Sequence, residues 1–294
     1  MTDALGDAAK CSVCGRAAVY KRTYSGEILC ERCLLRALAR SVKRQASRYG
    51  RTFRARMSVL VAASLHSPHL GAALALALSR ATANLGVAVN MAIPQGDGWG
   101  VEFDPESLET LRARGVRIWR AHLRLEGGLP STLVGCMRLD RAWSARAARL
   151  IGAHAVAVPV TRTLAILAAL DSLLAGEPWG LSEASQEASS VSGLAVAPLF
   201  YGVEGEAAAA LAGAWRLHAW PACRPSTLGK RAFYSIARGR PELEFSVHKT
   251  VEPLAASARR RYGVCPQCGG LTPGGGLCPH CRRSRIVCVG VEPA

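Results

Sequence analysis

Acidic residues are scarce in this sequence. Its 294 residues contain 21 Asp and Glu against 37 Lys and Arg, which gives a formal net charge of +16 at pH 7. Such an imbalance favours an acidic partner, of which nucleic acid is the commonest. Aromatic residues are few as well, at 6%, but half of all residues are hydrophobic. This apolar content excludes a disordered polycation and predicts a folded core.

Long hydrophobic runs are also missing. The two most apolar stretches, 70–78 and 164–174, are limited by Arg80 and by Asp171. Both fall far short of the roughly 20 residues that a membrane span needs, so we interpret them as buried helices and expect no membrane partner. Residues 1–9 are acidic and have no apolar core, so we expect no signal peptide and a cytoplasmic location.

The positive charge is concentrated at the two ends of the sequence. Residues 1–56 carry a net charge of +9, residues 57–221 carry −1, and residues 222–294 carry +8. The middle is rich in Ala, Leu and Val. We therefore expect the centre and the ends to perform different tasks.

The cysteines follow the same division. Eight of the eleven form two groups of paired C-x-x-C motifs, one near each end: Cys11, Cys14, Cys30 and Cys33, and Cys265, Cys268, Cys278 and Cys281. Each C-x-x-C turn presents two thiolates on one side of a loop, and two such turns complete a tetrahedral site for Zn(II). Four thiolates leave no open position for a substrate, so we predict two structural zinc ribbons. The predicted domains are 1–56, 57–250 and 251–294.

Basic residues surround both ribbons. A helix is predicted from Cys33 to Gly50, with Leu35, Leu38 and Val42 on one face and positive charges on another. The candidate nucleic-acid contacts are Tyr20, Lys21 and Arg22 in a hairpin of the first ribbon, Arg36, Arg40, Lys43, Arg44 and Arg48 on the helix, and Arg259, Arg260 and Arg261 before the second ribbon, with Arg51, Arg54 and Arg56 extending the stripe. A merely solvated helix face is the alternative. The near absence of acidic partners favours phosphate binding.

The centre alternates between strand and helix patterns. Apolar strands are predicted at 58–64, 87–93, 116–122, 155–160 and 194–200, with helices at 68–84, 105–114, 139–151, 162–175 and 205–214. Continuous apolar strands alternating with helices predict an α/β fold with a Rossmann-like, doubly wound parallel sheet. In such a sheet ligands bind at the carboxyl ends of the strands. The loop after the first of these strands is thus the expected nucleotide site.

Taken together, the two ribbons, the Tyr24-Ser25-Gly26-Glu27 hairpin, the basic helix and the strand-loop-helix resemble the TtuA/TtcA-type tRNA 2-thiouridine synthetases over nearly the whole chain. The resemblance implies a PP-loop, adenine nucleotide alpha-hydrolase-like fold between zinc ribbons. Members of this family use an S-G-G-x-D-S loop to adenylate a tRNA uridine with ATP before sulfur is transferred. tRNA or another structured RNA is therefore the implied partner.

The residues of the adenylating loop have changed. Ser64, Leu65, His66, Ser67, Pro68 and His69 occupy its place, and only the first Ser matches. The family's glycines let backbone N–H groups approach a phosphate, whereas Leu65 and His66 carry side chains that crowd it. Pro68 replaces the family's Asp. His66 and His69 could contact an anion, but we expect no binding of ATP for adenylation.

Two further family motifs are also altered. The P-C-x-x-C-G segment, whose cysteines hold an iron-sulfur cluster or carry sulfur, corresponds to residues 130–135, followed by Arg138. Ser131 and Val134 replace its cysteines and cannot ligate iron as thiolates do, so no cluster is expected. Cys136 is interpreted as a small buried hydrophobe. Cys223, near the family's third cysteine, is a weak candidate nucleophile. The G-H-N-x-x-D segment corresponds to residues 159–164 and lacks its His and acid.

Intact metal sites and basic surfaces beside altered chemistry predict a non-catalytic member of the tRNA thiolation family. We expect an RNA-binding scaffold, or a subunit paired with an active thiolase homologue or with a second copy. Two alternatives stay open. The chain could be an active sulfurtransferase with a diverged ATP loop, or an interaction subunit that does not contact RNA.

Overall fold

A computed structural model describes residues 9–50, 53–226, 228–237 and 240–294. Its strands are β1 (Tyr20–Lys21), β2 (Ile28–Leu29), β3 (Ser58–Ala62), β4 (Ala88–Gly96), β5 (Trp99–Gly100), β6 (Glu102–Phe103), β7 (Arg117–Glu126), β8 (Ala155–Val158), β9 (Ser189–Val191), β10 (Leu194–Pro198), β11 (Ala219–Trp220), β12 (Gly263–Val264), β13 (Leu271–Thr272) and β14 (Arg285–Pro293). Its helices are α1 (Glu31–Arg48), α2 (Pro68–Thr82), α3 (Pro105–Arg112), α4 (Leu133–Leu150), α5 (Arg162–Leu174), α6 (Gly205–Ala214), α7 (Leu228–Ala237), α8 (Pro241–Arg261) and α9 (Pro279–Arg283), with a 3₁₀ segment at Pro178–Ala184.

The central sheet has the strand order β14-β7-β4-β3-β8-β10-β9. The five strands from β7 to β10 are mutually parallel, whereas β14 and β9 run antiparallel at the edges. The predicted parallel sheet is thus confirmed, and it acquires two antiparallel borders. The chain runs outward from β3 to β7 and then crosses to β8, so the strand order reverses between β3 and β8. In doubly wound sheets the usual ligand site lies at such a reversal, at the carboxyl ends of the strands.

The core of the sheet follows from its sequence. β3 and β8 are almost entirely apolar and buried, as expected for strands covered on both faces. Helix α2 packs very closely on this layer, since a Cβ added at Gly71 would lie 2.5 Å from the carbonyl oxygen of Ala62. Helices α1 and α6 pack in turn against α2. This stack places the N-terminal ribbon and its helix beside the central sheet.

One predicted helix was placed wrongly at its start. The prediction began at residue 139, but α4 begins at Leu133, because the Thr132 hydroxyl accepts a hydrogen bond from the Gly135 N–H at 3.1 Å and caps the helix. The segment matching the altered P-C-x-x-C-G motif therefore forms the first turn of a long buried helix.

Both ends of the chain attach to the centre. Tyr20 in the N-terminal ribbon donates a hydrogen bond to Glu204, just before α6. At the other end, β14 pairs with β7 and completes the central sheet. The expected boundary between residues 250 and 251 falls within α8. Across the described residues, no helix is long and apolar enough to cross a membrane.

Candidate functional site

The four N-terminal cysteines converge at one point. Cys11 and Cys14 lie on the turn before β1, and Cys30 caps α1, which contains Cys33. The sulfur of Cys14 lies 3.5 Å from that of Cys30 and 3.6 Å from that of Cys33. Gly15 has φ of +75°, the left-handed conformation that the tight C-x-x-C turn requires. These thiols can hold a metal ion, although Cys14 is exposed.

The C-terminal cysteines form a second group that is buried throughout. Its sulfurs already accept backbone hydrogen bonds: the Cys278 N–H donates to the Cys265 sulfur at 3.4 Å, and the Gly270 N–H donates to the Cys268 sulfur at 3.4 Å. The sulfurs of Cys268 and Cys278 lie 3.8 Å apart. Such N–H groups stabilise thiolates in metal sites. Both predicted cysteine clusters therefore can hold metal ions.

A buried aspartate of the protein itself occupies the loop at the carboxyl end of β3. Asp140, from α4, accepts hydrogen bonds from the Ser64 hydroxyl at 2.6 Å, from the Leu65 N–H at 2.9 Å and from the Trp143 indole at 3.1 Å. Asp140 is only 3% exposed and the Leu65 side chain is fully buried. The loop's backbone and hydroxyl donors thus point at a carboxylate that belongs to the protein.

The two histidines of this loop do not form an open anion site. His66 Nδ1 lies 2.8 Å from the Ser64 hydroxyl and 3.4 Å from Asp140 Oδ2. His69 is half-buried, and burial followed by the neighbouring His66 lowers its pKa. A lowered pKa favours the neutral imidazole, which attracts an anion less strongly. Pro68 starts α2, so it leaves no acidic side chain at the position of the family's Asp.

The structure brings together two cysteines that the sequence separates. Cys136 is fully buried, in agreement with its interpretation as a small hydrophobe, and Cys223 is 2% exposed. The Cys223 N–H donates to the Leu65 carbonyl oxygen at 2.8 Å, which holds this thiol beside the loop. The neighbouring Cys223 thiol, followed by burial, raises the pKa of Cys136, whose own thiol donates to the Pro130 carbonyl oxygen at 3.4 Å. A raised pKa opposes formation of the thiolate that a nucleophile or iron ligand needs.

Sequence reasoning missed Asp140 and the Cys136–Cys223 pairing. The available signal for Asp140 was its isolation, since no other acidic residue occurs between Glu126 and Asp171. A lone acid within a largely apolar and basic helix needs buried donors, and this one finds them in the strand-end loop.

The predicted basic face of α1 is present. Arg36, Arg40, Lys43 and Arg44 are all exposed, while Leu35, Leu38 and Val42 are buried against the rest of the protein. Within the part of the chain that the structure describes, no carboxylate lies within 4.0 Å of any of the four cations. Lys21 is exposed too, and Arg48 donates to Gln186. Arg51 falls outside the described residues.

Some of the candidate contacts need correction. Tyr20 is buried and its hydroxyl is bonded to Glu204, so its ring cannot stack on a base. Burial followed by Glu204 raises its pKa, which keeps that hydroxyl a donor. Arg22 is paired with Glu27 at 2.5 Å and Arg259 with Glu187 at 3.2 Å. Of the C-terminal basic run, Arg260 and Arg261 are exposed.

Comparisons with known proteins agree with this architecture. Residues 10–35 match the family model of the N-terminal LIM domain of the 2-thiouridine synthetase TtuA. No significant match was found among curated protein sequences. Nineteen chains of solved structures match, among them the U34-tRNA thiolase NcsA from Methanococcus maripaludis with its 4Fe-4S cluster. The match to NcsA has 15% sequence identity, a TM-score of 0.65, and covers 93% of this chain and 95% of that one.

These matches confirm the predicted resemblance at two levels. Residues 10–35 are similar to the N-terminal LIM domain of a 2-thiouridine synthetase, and the overall fold is similar to that of a U34-tRNA thiolase. Both findings support a relationship to the tRNA thiolases.

Proposed function

We propose, from this relationship to the tRNA thiolases, that the protein binds tRNA and takes part in its thiolation as a non-catalytic, cytoplasmic member. The observation that carries the proposal is the exposed basic face of α1, four cations without a carboxylate partner among the described residues. Unpaired cations on a rigid helix are suited to the phosphates of structured RNA. The U34-tRNA thiolase of the same fold makes tRNA the first RNA to test.

The loop after β3 supports the part of the proposal that calls the protein non-catalytic. A loop that binds ATP presents N–H groups to a phosphate, but here the Leu65 N–H and the Ser64 hydroxyl already bond Asp140. A phosphate entering the loop would have to displace this buried carboxylate and would meet its negative charge. The site therefore resists the ligand that adenylation requires.

Zinc is our proposed occupant of both cysteine clusters. A single ion bound to four sulfurs at about 2.3 Å separates those sulfurs by about 3.8 Å. The separations of 3.5, 3.6 and 3.8 Å agree with this arrangement. A 4Fe-4S cluster binds each thiolate to a different iron and needs a wider set of cysteines. The proposed role of zinc is structural.

Removal of the basic face tests RNA binding. The triple variant Arg36→Gln, Arg40→Gln, Arg44→Gln is expected to bind tRNA at least about tenfold more weakly at physiological salt, because each lost phosphate contact reduces counterion release. The slope of log affinity against log salt should fall by about 2 to 3, at roughly 0.7–0.9 per contact. Filter binding over a salt series measures both quantities.

A matched control removes the same charge elsewhere. Arg117, Arg120 and Arg124 are exposed on β7, which lies between β4 and β14 in the sheet. Their triple Gln variant should retain nearly full tRNA affinity. Equal loss in both variants would mean that the net charge, not the α1 face, determines binding. Absence of any tRNA shift in the wild type, together with capture of an active thiolase homologue, would replace RNA binding by a role as an interaction subunit.

ATP binding separates the proposed function from an active sulfurtransferase. Calorimetry with ATP and Mg²⁺ is expected to show no binding in the micromolar range, in the absence and in the presence of tRNA, because Asp140 occupies the loop. Micromolar binding under either condition would contradict the non-catalytic assignment. The diverged loop would then have to be regarded as functional.

A further inference from the structure

The two cysteine clusters differ in their surroundings. In the N-terminal cluster Cys14 is exposed, whereas Cys11, Cys30 and Cys33 are buried. In contrast, all four cysteines of the C-terminal cluster are at most 2% exposed. A divalent ion with four thiolates carries a net charge of −2. Burying that charge requires compensation, which water can supply at the exposed Cys14 but not in the C-terminal cluster.

A buried arginine approaches the C-terminal cluster from the central domain. Arg138 in α4 is fully buried, and its Nε lies 3.0 Å from Glu183 while its Nη2 donates to the Trp179 carbonyl oxygen at 2.9 Å. Its Nη1 has no hydrogen-bond partner in the described part of the chain. An unpartnered guanidinium N–H at this depth is costly unless another acceptor is near.

Gly270 brings the cysteine cluster next to this guanidinium, because its N–H donates to the Cys268 sulfur at 3.4 Å and a Cβ added to it would lie 2.9 Å from Arg138 Nε. Burial alone would lower the pKa of Arg138, but the charges of Glu183, Cys268 and Cys278 raise it. Arg141 also pairs with Glu183. One carboxylate between two guanidinium groups leaves an excess positive charge, and that excess lies beside the thiolates.

The backbone of the ribbon is fitted to this ion pair. A Cβ added at Gly270 would lie 2.9 Å from Arg138 Nε and 2.9 Å from Glu183 Oε1. The next residue, Leu271, donates its N–H to the Ser182 hydroxyl at 3.2 Å. The ribbon thus rests directly on the ion pair, and Gly270 is the residue that permits the approach.

We propose that Arg138 is a positioning residue for the C-terminal metal centre: its guanidinium compensates the buried thiolate charge and fastens the ribbon to α4. The proposal rests on a metal ion in this cluster and is independent of RNA binding.

Metal release tests the proposal. Zinc extraction by a chromogenic chelator should show a fast phase, assigned by its loss in Cys14→Ser, and a slow phase from the C-terminal cluster. In Arg138→Met the slow phase is expected to accelerate about tenfold or more, because loss of a group that supports the metal ligands typically weakens metal binding about 10–100-fold. Arg138→Lys keeps the charge but not the planar guanidinium, so its slow release rate should be intermediate between those of the wild type and Arg138→Met. The fast phase should not change.

A second pair of variants covers the case in which Arg138→Met does not fold. Gly270→Ala displaces the ion pair without removing a charge and should also accelerate the slow phase. Gly274→Ala in the same ribbon is the control, since its added Cβ meets nothing within 4 Å. If folded Arg138→Met and Gly270→Ala both released zinc at the wild-type slow rate, the role proposed for Arg138 would be wrong while the zinc assignment would stand. A wild-type protein without metal at this cluster would overturn it together with the zinc assignment.

Discussion

Replacing Cys278 by serine is expected to remove one of two bound metal ions and to release the whole C-terminal segment from the sheet. Structural zinc contributes on the order of 10 kcal/mol or more to the folding of zinc-finger peptides. Here the ribbon lies between α8 and β14, and β14 provides the border of the central sheet. Losing the ion should therefore expose β14. Native mass spectrometry counts the ions, and hydrogen exchange reports the protection of β14.

Cys14→Ser is the matched comparison, because it removes a ligand from the N-terminal cluster. That variant should also lose one ion, but β14 should remain protected from exchange. Unchanged protection of β14 in Cys278→Ser would show that the strand holds its place without the metal.

The second large effect concerns Asp140. Asp140→Ala is expected to lower the free energy of unfolding by about 3 kcal/mol or more, because three buried donors lose their acceptor and each costs about 1–3 kcal/mol. These donors are the Ser64 hydroxyl, the Leu65 N–H and the Trp143 indole. Urea denaturation followed by tryptophan fluorescence measures the change, provided that the m-value is unaltered.

Two neighbouring substitutions define the scale of this effect. Asp140→Asn keeps an acceptor oxygen and should cost less than Asp140→Ala. Ser144→Ala, on the same buried helix, removes one hydrogen bond to the Asp140 carbonyl and should cost only about 1 kcal/mol. If Asp140→Ala were no more destabilising than Ser144→Ala, the carboxylate would not be closing the loop.

The features that the sequence predicted well are those encoded over short distances. A C-x-x-C turn places its thiols by local geometry, so both clusters could be predicted from spacing. The buried parallel strands are continuous apolar runs, and α1 separates Leu35, Leu38 and Val42 from its cations by the 3.6-residue period.

The features that escaped prediction depend on distant pairs. Asp140 meets Ser64 from 76 positions away, and Tyr20 meets Glu204 from 184 positions away. No local pattern distinguishes a tyrosine that stacks on a base from one whose hydroxyl anchors a ribbon. Only the packing of α6 beside the N-terminal ribbon decides between them.

The pairing of β14 with β7 also sets an order of folding. Helices α4 to α9 lie between the two strands in the sequence, so their contact closes a very long loop and is expected to form late. Until then β7 presents unpaired N–H and C=O groups along a sheet edge, a surface on which chains aggregate. A metal ion that folds the C-terminal ribbon early brings β14 close to its place. During synthesis, metal supply would then affect the yield of folded protein as much as its final stability.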